Sequence, residues 1–233
     1  FFFFAAALII IPHRGIAKIS AVVVAESWKD NNLKNLQTIY EKSALNMLII
    51  GGYLFIVGWA CLDSALEFEK LQSYAYGKYV FFFLGIGKLI ELSTGVNSEI
   101  ISASEKYKYN TYFNFLLATL AIGLNFYFIS DYGILGAAFA TLVAVAIINF
   151  LRGLFLFKAY QLIPFNKAFF KALIVVLIFI AISFVLNYNI NPIIEILINF
   201  SLITVIYWLV IIKLNISADI NHWLLKLKTR FIK

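Results

Sequence analysis

Seven apolar runs follow one another along this chain, most of them about as long as a bilayer core is thick, at 1–25, 44–62, 77–98, 112–130, 134–157, 168–186 and 192–212. A helix needs about 20 apolar residues to cross the hydrocarbon core. Only helices and closed barrels satisfy every backbone N–H and C=O there without water. The runs are too long, and too little alternating, for barrel strands of roughly ten residues. They predict an all-α polytopic membrane helix bundle of about seven transmembrane helices. Composition points the same way. The 233 residues are 63% hydrophobic and 13% charged, whereas a soluble domain averages about 45–50% and 25%. An ordinary soluble domain, a disordered chain and a nucleic-acid-binding domain are excluded on that ground.

Charge then orients the bundle. The connection after the first run carries Lys29, Lys34 and Lys42, that after the third Lys106 and Lys108, and that after the fifth Lys158 and Lys167, flanked by Arg152 and Lys171. The intervening connections are mixed (Asp63, Glu67, Glu69, Lys70, Lys78), a tight turn at Asp131-Tyr132-Gly133, or uncharged (187–191). Together with the tail, the basic set holds 14 of the 19 Lys and Arg residues. Lys and Arg accumulate on the cytoplasmic side, so the expectation is a cytoplasmic C-terminus, with Phe1 starting on the far side. The net charge of +7 is then a matter of topology. The expected layout is a transmembrane unit over 1–213 and a basic cytoplasmic tail over 214–233. In the tail, Trp223, Leu224, Leu227 and Phe231 fit either an amphipathic helix on the inner leaflet or a solvated basic tail. The chain opens on Phe1 to Phe4, its one Met is Met47 inside an apolar run, and no signal-peptide pattern precedes the first run. The reading is a piece of a longer protein.

Charged side chains within a span cost several kcal/mol unless they face protein or water, so they mark the candidate chemistry. Lys88 and Glu91, three apart, share one helix face and can pair. They either line a polar pathway or lock two helices together. Arg14 and Lys18, four apart with His13 adjacent, interrupt the first run along with Pro12 and Gly15. They either point into a cavity suited to an anion or snorkel from an interface. Gly95-Val96-Asn97 closes the third run, as a cap or as the break of a discontinuous helix near a substrate; Asn97 and Ser98 can also bond across helices. The small residues of Gly133-x-x-Gly136-Ala137-Ala138-x-Ala140-Thr141 predict a close helix–helix contact. One cysteine, Cys61, leaves no internal disulfide, and His13 and His222 are too far apart in sequence to suggest a metal site. Enzyme motifs for hydrolysis, phosphate binding or metal catalysis are absent from the sequence. No cofactor is expected.

Four stretches carry a family resemblance: Ala25-Glu26-Ser27-Trp28 with Ile39-Tyr40-Glu41-Lys42-Ser43; Thr94-Gly95-Val96-Asn97-Ser98-Glu99-Ile100-Ile101; Tyr132-Gly133-Ile134-Leu135-Gly136-Ala137-Ala138-Phe139-Ala140-Thr141; and Leu162-Ile163-Pro164-Phe165. In this order and spacing the chain resembles the C-terminal half of bacterial polysaccharide flippases of the O-antigen and capsule type, in the multidrug/oligosaccharidyl-lipid/polysaccharide exporter superfamily. The resemblance implies the C-terminal lobe of a two-lobed transporter in the bacterial inner membrane. It implies export of a lipid-linked oligosaccharide, a polyprenyl pyrophosphate sugar, during cell-surface polysaccharide or lipopolysaccharide biosynthesis, alongside membrane lipids and polysaccharide assembly proteins. Arg14, Lys18 and Lys88 would attract the pyrophosphate, Glu91 would modulate Lys88 or carry a coupling proton, and Asn97 would stand near the substrate. A multidrug exporter of the same superfamily is the runner-up, but basic groups outnumber acidic ones among the intramembrane charges, which favours an anionic substrate. A membrane enzyme or a scaffold of polysaccharide assembly are further alternatives. Neither activity nor metal chemistry of an enzyme is expected.

Overall fold

The computed structural model of the chain describes residues 2–68, 74, 77–186, 188 and 190–222, and the regular structure among them is helical throughout. The elements are α1 (Phe2–Ala7), a 3-10 turn (Leu8–Ile10), α2 (Ile11–Lys29), α3 (Leu33–Ala60), α4 (Leu62–Leu66), α5 (Lys78–Ser93), α6 (Asn97–Ala103), α7 (Lys108–Tyr160), α8 (Lys167–Ser183) and α9 (Pro192–Lys213). Four helices, counting Phe2–Lys29 as one, are long and apolar enough to cross a membrane, and the bent pair α5–α6 makes a fifth. This is a membrane-embedded helical protein.

The interruption expected at Pro12-His13-Arg14-Gly15 is not there. Helix α2 runs through all four, with Pro12 in its first turn. Proline lacks an N–H, and its ring crowds the carbonyl four residues back, which here belongs to Leu8. The chain absorbs this one turn upstream, by tightening Leu8–Ile10 into the 3-10 turn. The basic connection after the first run is also shorter than expected. Lys34 and Lys42 lie on α3, because Asn32 caps that helix by accepting from the Asn35 N–H at 3.0 Å. The reversal is confined to 30–32, where Asn31 takes a left-handed φ of 50°.

Helix α3 is the centre of the bundle and packs against α2, α5, α8 and α9. Met47, Leu48, Ile49, Phe55 and Ile56 are fully buried along it. The buried Tyr207 hydroxyl of α9 donates to the Ile49 carbonyl at 2.7 Å, which holds the two helices in register. In α7 the backbone leaves helical geometry at Gly133 (φ 56°, ψ −134°). The chain there doubles back on itself. Phe128 meets Phe139, Phe113 meets Phe155, and Arg152 bonds Asn114. The two numbers in each pair add to nearly the same value, as an antiparallel pairing about Gly133 requires. The arms 108–132 and 134–160 are each about 40 Å long at 1.5 Å per residue. Every buried residue of α7 belongs to the second arm, so the first arm lies on the outside.

The connections sort onto two ends. At one end Trp28, Ile100 and Tyr160 meet, Gln37 bonds Ile163, Glu41 bonds Asn166, and Lys42 pairs with Asp219. At the other end Asp63 pairs with Lys78, and Asn199 bonds the Ala60 carbonyl. The lysine-rich connections share the first end. Beyond α9 the chain folds back onto α3: Ile216, Ser217 and Ile220 are buried, and the Ser217 hydroxyl donates to Asn46 at 2.6 Å. Trp223, Leu224, Leu227 and Phe231, the expected amphipathic face of the tail, lie outside the described residues.

Candidate functional site

Helices α5 and α6 form the floor of a groove. Helices α1 and α2 pack along one flank of that floor and α7 along the other. Small side chains keep the far flank close: Ala137, Ala138 and Thr141 of α7 face Phe2, Val80 and Leu84 across a cavity of about 520 Å³. One turn further toward the basic end, Lys88 enters the lining of a smaller cavity of about 70 Å³, opposite Phe3 and Ala7 of α1 and Val145 of α7. The groove is thus apolar toward the Asp63–Lys78 end and acquires charge from Lys88 onward.

Those charges form a row of alternating sign. Lys88 Nζ lies 3.0 Å from Glu91 Oε2, and both side chains are about a third exposed (34% and 32%). The spacing of three residues brings them onto one face of α5, as the sequence predicts. The Arg152 guanidinium of α7 bonds Asn114 of the outer arm and lies in the field of the Glu91 and Glu99 carboxylates, with no ion pair to either among the described residues. Glu99 Oε1 of α6 lies 3.8 Å from His13 Nε2 of α2. The second Glu99 oxygen and Arg152 Nε are buried without a hydrogen-bond partner among the described residues. Helices α5, α6 and α7 therefore contribute opposed charges to one strip of the groove, with His13 of α2 beside it, and each charge offsets the cost its neighbours would carry alone in a low dielectric.

The sequence did not single out Arg152 or Glu99. Arg152 looked like the flank of a basic connection, but α7 extends to Tyr160 and so places it about two turns inside the helix. Glu99 sits in a stretch read for its Gly and Asn. A signal existed in both cases, since each is a charge within or beside an apolar run.

Between α5 and α6 the helix axis turns by 47°. Gly95 makes the turn with φ +59°, a conformation that costs other L-residues about 1–2 kcal/mol. Asn97 is 3% exposed and its amide donates to Asn149 Oδ1 of α7 at 3.0 Å. Thr94 Oγ1 lies 2.9 Å from the same oxygen. On the opposite side Ser43 Oγ of α3 accepts from the Val96 N–H at 3.3 Å. The break is thus a discontinuous helix rather than a terminal cap. Its freed backbone and side-chain groups are bonded to both neighbouring helices, as irregular backbone at membrane depth requires. Asn97 is a member of that knot.

Arg14 and Lys18 are exposed and make no ion pair among the described residues. Ala25 and Lys29 lie eleven residues after them, three helical turns on and therefore in the same stripe. Ala25 and Lys29 line a cavity shared with Tyr160 of α7. The stripe that carries Arg14 and Lys18 hence runs along the α7-facing side of α2. The structure joins Lys88, Glu91 and Asn97 to the floor of the groove and sets Arg14 and Lys18 on its flank, clear of the Lys88–Glu91 pair.

The arrangement suits an anion. Two cations, Arg14 and Lys18, have no counter-charge among the described residues, while Lys88 is partly exposed beside its carboxylate. Among those residues no three His, Cys, Asp or Glu side chains gather as a metal site would require. No protein-family model, no curated protein and no solved structure matches the chain.

Proposed function

We propose that this chain is the C-terminal lobe of a polysaccharide flippase in the bacterial inner membrane, and that it moves the anionic headgroup of a lipid-linked oligosaccharide. In this reading the bundle has seven spans, counting α5–α6 as one, the two arms of α7 separately, and α8 and α9. The lysine-rich end faces the cytoplasm by the positive-inside rule. The C-terminus then lies on that side too.

The observation that carries the proposal is the exposure of Arg14 and Lys18, part-way along a membrane helix, with no acid among the described residues to neutralise them. Lipid tails do not tolerate that arrangement. A water-filled path for a pyrophosphate does, and the facing wall would come from a second lobe. Lys88 lies at the floor of the same groove. The headgroup enters at the lysine-rich end, where cations concentrate anions, and the prenyl tail stays in lipid. Net export requires that the two access states bind the headgroup with different strength. Polysaccharide assembly proteins supply and consume the lipid on either side.

The test is translocation of a fluorescent prenyl-pyrophosphate oligosaccharide by the whole protein in liposomes. Arg14→Gln and Lys18→Gln should each slow it by about tenfold or more, the worth of one charged hydrogen bond, at unchanged protein level. Translocation at the parent rate in both variants would overturn the proposal.

A further inference from the structure

At the lysine-rich end the groove opens into a cavity of about 530 Å³ between the end of α2, the start of α3, the end of α6 and the end of α7. Its lining combines aromatic rings, a cation and hydrogen-bond acceptors: Trp28, Lys29, Asn31, Glu105 and Tyr160. The rings are fixed. Trp28 Nε1 donates to the Ile100 carbonyl at 3.0 Å, and its indole meets Tyr160 edge-on with centroids 4.6 Å apart. Lys106 Nζ stands over the Tyr160 ring, 5.4 Å from its centroid. That places a second cation beside the cavity.

We infer that this cavity is a binding site for an anionic phospholipid of the adjacent leaflet whose headgroup is a phosphodiester bearing hydroxyls, as in phosphatidylglycerol. Several features point to that chemistry together. Trp and Tyr are the residues that settle at headgroup depth. Basic pockets between membrane helices hold anionic headgroups on the lysine-rich side. Lys29 and Lys106 supply two positive charges for one phosphate. Glu105 and the Asn31 carboxamide supply acceptors, which a bare phosphate does not use and headgroup hydroxyls do. The exposed apolar residues Ile19 and Val23 of α2, on the surface next to the Arg14/Lys18 stripe, continue from the cavity into the membrane and give the acyl chains a wall. The cavity lies at the mouth of the path proposed above, so the inference adds a resident lipid to that path, and it is tested by lipid retention rather than by translocation.

The test uses the whole chain in nanodiscs of equal phosphatidylglycerol and phosphatidylcholine, released into mild detergent, with the retained lipid read by native mass spectrometry. The parent protein should keep phosphatidylglycerol in preference to phosphatidylcholine. Lys29→Gln with Lys106→Gln should weaken retention about thirtyfold, at about fivefold per lysine near a membrane surface. Glu105→Gln should spare phosphate binding but narrow the preference for phosphatidylglycerol over phosphatidic acid, which has no hydroxyl-bearing headgroup. Added glycerol phosphate should not displace the lipid, since it lacks the acyl chains. Equal retention of the two lipids by the parent protein, parent-like retention by the double lysine variant, or displacement by free glycerol phosphate would each overturn the inference. Both lysines are exposed, and an unchanged melting temperature in phosphatidylcholine alone confirms that the variant is folded.

Discussion

Asn97 and Asn149, 52 residues apart in sequence, meet side chain to side chain at 3.0 Å in the interior of the bundle. The contact ties the far side of the α5–α6 break to the inner arm of α7. Thr94, from the near side of the break, reaches the same Asn149 oxygen. One carboxamide therefore closes both ends of a 47° bend. Asn149 also donates to the Val145 carbonyl at 2.9 Å, so its orientation is fixed by its own helix.

Removing that carboxamide should matter more than removing either group that uses it. Asn149→Ala leaves the Asn97 amide without its acceptor, and a stranded buried polar group costs about 1–3 kcal/mol. Thr94→Val should cost about 0.6 kcal/mol, an average interhelical bond in a membrane protein. Reversible unfolding in bicelles, followed by circular dichroism, checks the order. Equal losses would mean that the knot contributes no more than an ordinary pair.

Gly95→Ala should destabilise by more than about 2 kcal/mol. The left-handed backbone alone accounts for about 1–2 kcal/mol. An added Cβ would also stand 2.6 Å from Ser43 Oγ and 2.8 Å from the Ala44 backbone N, so α3 would have to move. Gly123→Ala is the control. Nothing lies within 4 Å of its Cβ position, and alanine is the better helix former by about 1 kcal/mol. The same bicelle assay should show opposite signs for the two.

The reversal in α7 makes a sharper demand. At Gly136 a Cβ would run into the Phe128 carbonyl and the Ile129 N of the opposing arm. At Gly133 nothing stands within 4 Å, but φ is +56°. Gly136→Ala should therefore open the pair of arms, and Gly133→Ala should only strain the turn. A disulfide between cysteines at Phe113 and Phe155, whose rings lie 5.8 Å apart, reports on closure in a Cys61→Ser background. It should form to the parent extent with Gly133→Ala and to a lesser extent with Gly136→Ala.

The Lys88–Glu91 pair should behave as a unit. Lys88→Gln leaves Glu91 with a charge less compensated, and Glu91→Gln does the same for Lys88. Breaking such a pair costs more than replacing it whole. The double change should be closer to the parent in stability than either single change, while translocation falls in every variant lacking Lys88. A double-mutant cycle on both readouts separates the structural part of the pair from its part in anion binding.

Much of the architecture could be read from local pattern. Apolar run lengths gave the helices, and lysine spacing gave the sorting of connections onto two ends, because both follow from the solvent each residue must meet. The boundaries at Pro12 and at Asn32 were less legible. In each, a residue that usually ends a helix serves as its first turn or its cap. The Lys88–Glu91 contact was legible because it is three residues long. The contacts of Asn149 with Thr94 and Asn97, and that of Arg152 with Asn114, join residues far apart in the chain. No periodicity encodes them, and Arg152, inside the run at 134–157, was read as a flank of the basic connection because its neighbours in sequence gave no sign of the acids on α5 and α6.

In a hydrated anion path, one stripe of α2 faces water while its neighbouring surface faces lipid. Arg14→Cys, Lys18→Cys and Ile19→Cys, each in a Cys61→Ser background, should be exposed to a membrane-impermeant thiol reagent in sealed vesicles of the whole protein. Cysteine at 14 and 18 should react, prenyl pyrophosphate should protect it, and cysteine at 19 should stay unreactive. Reaction at 19 as fast as at 14, or none at 14 and 18, would contradict a hydrated anion path along this helix.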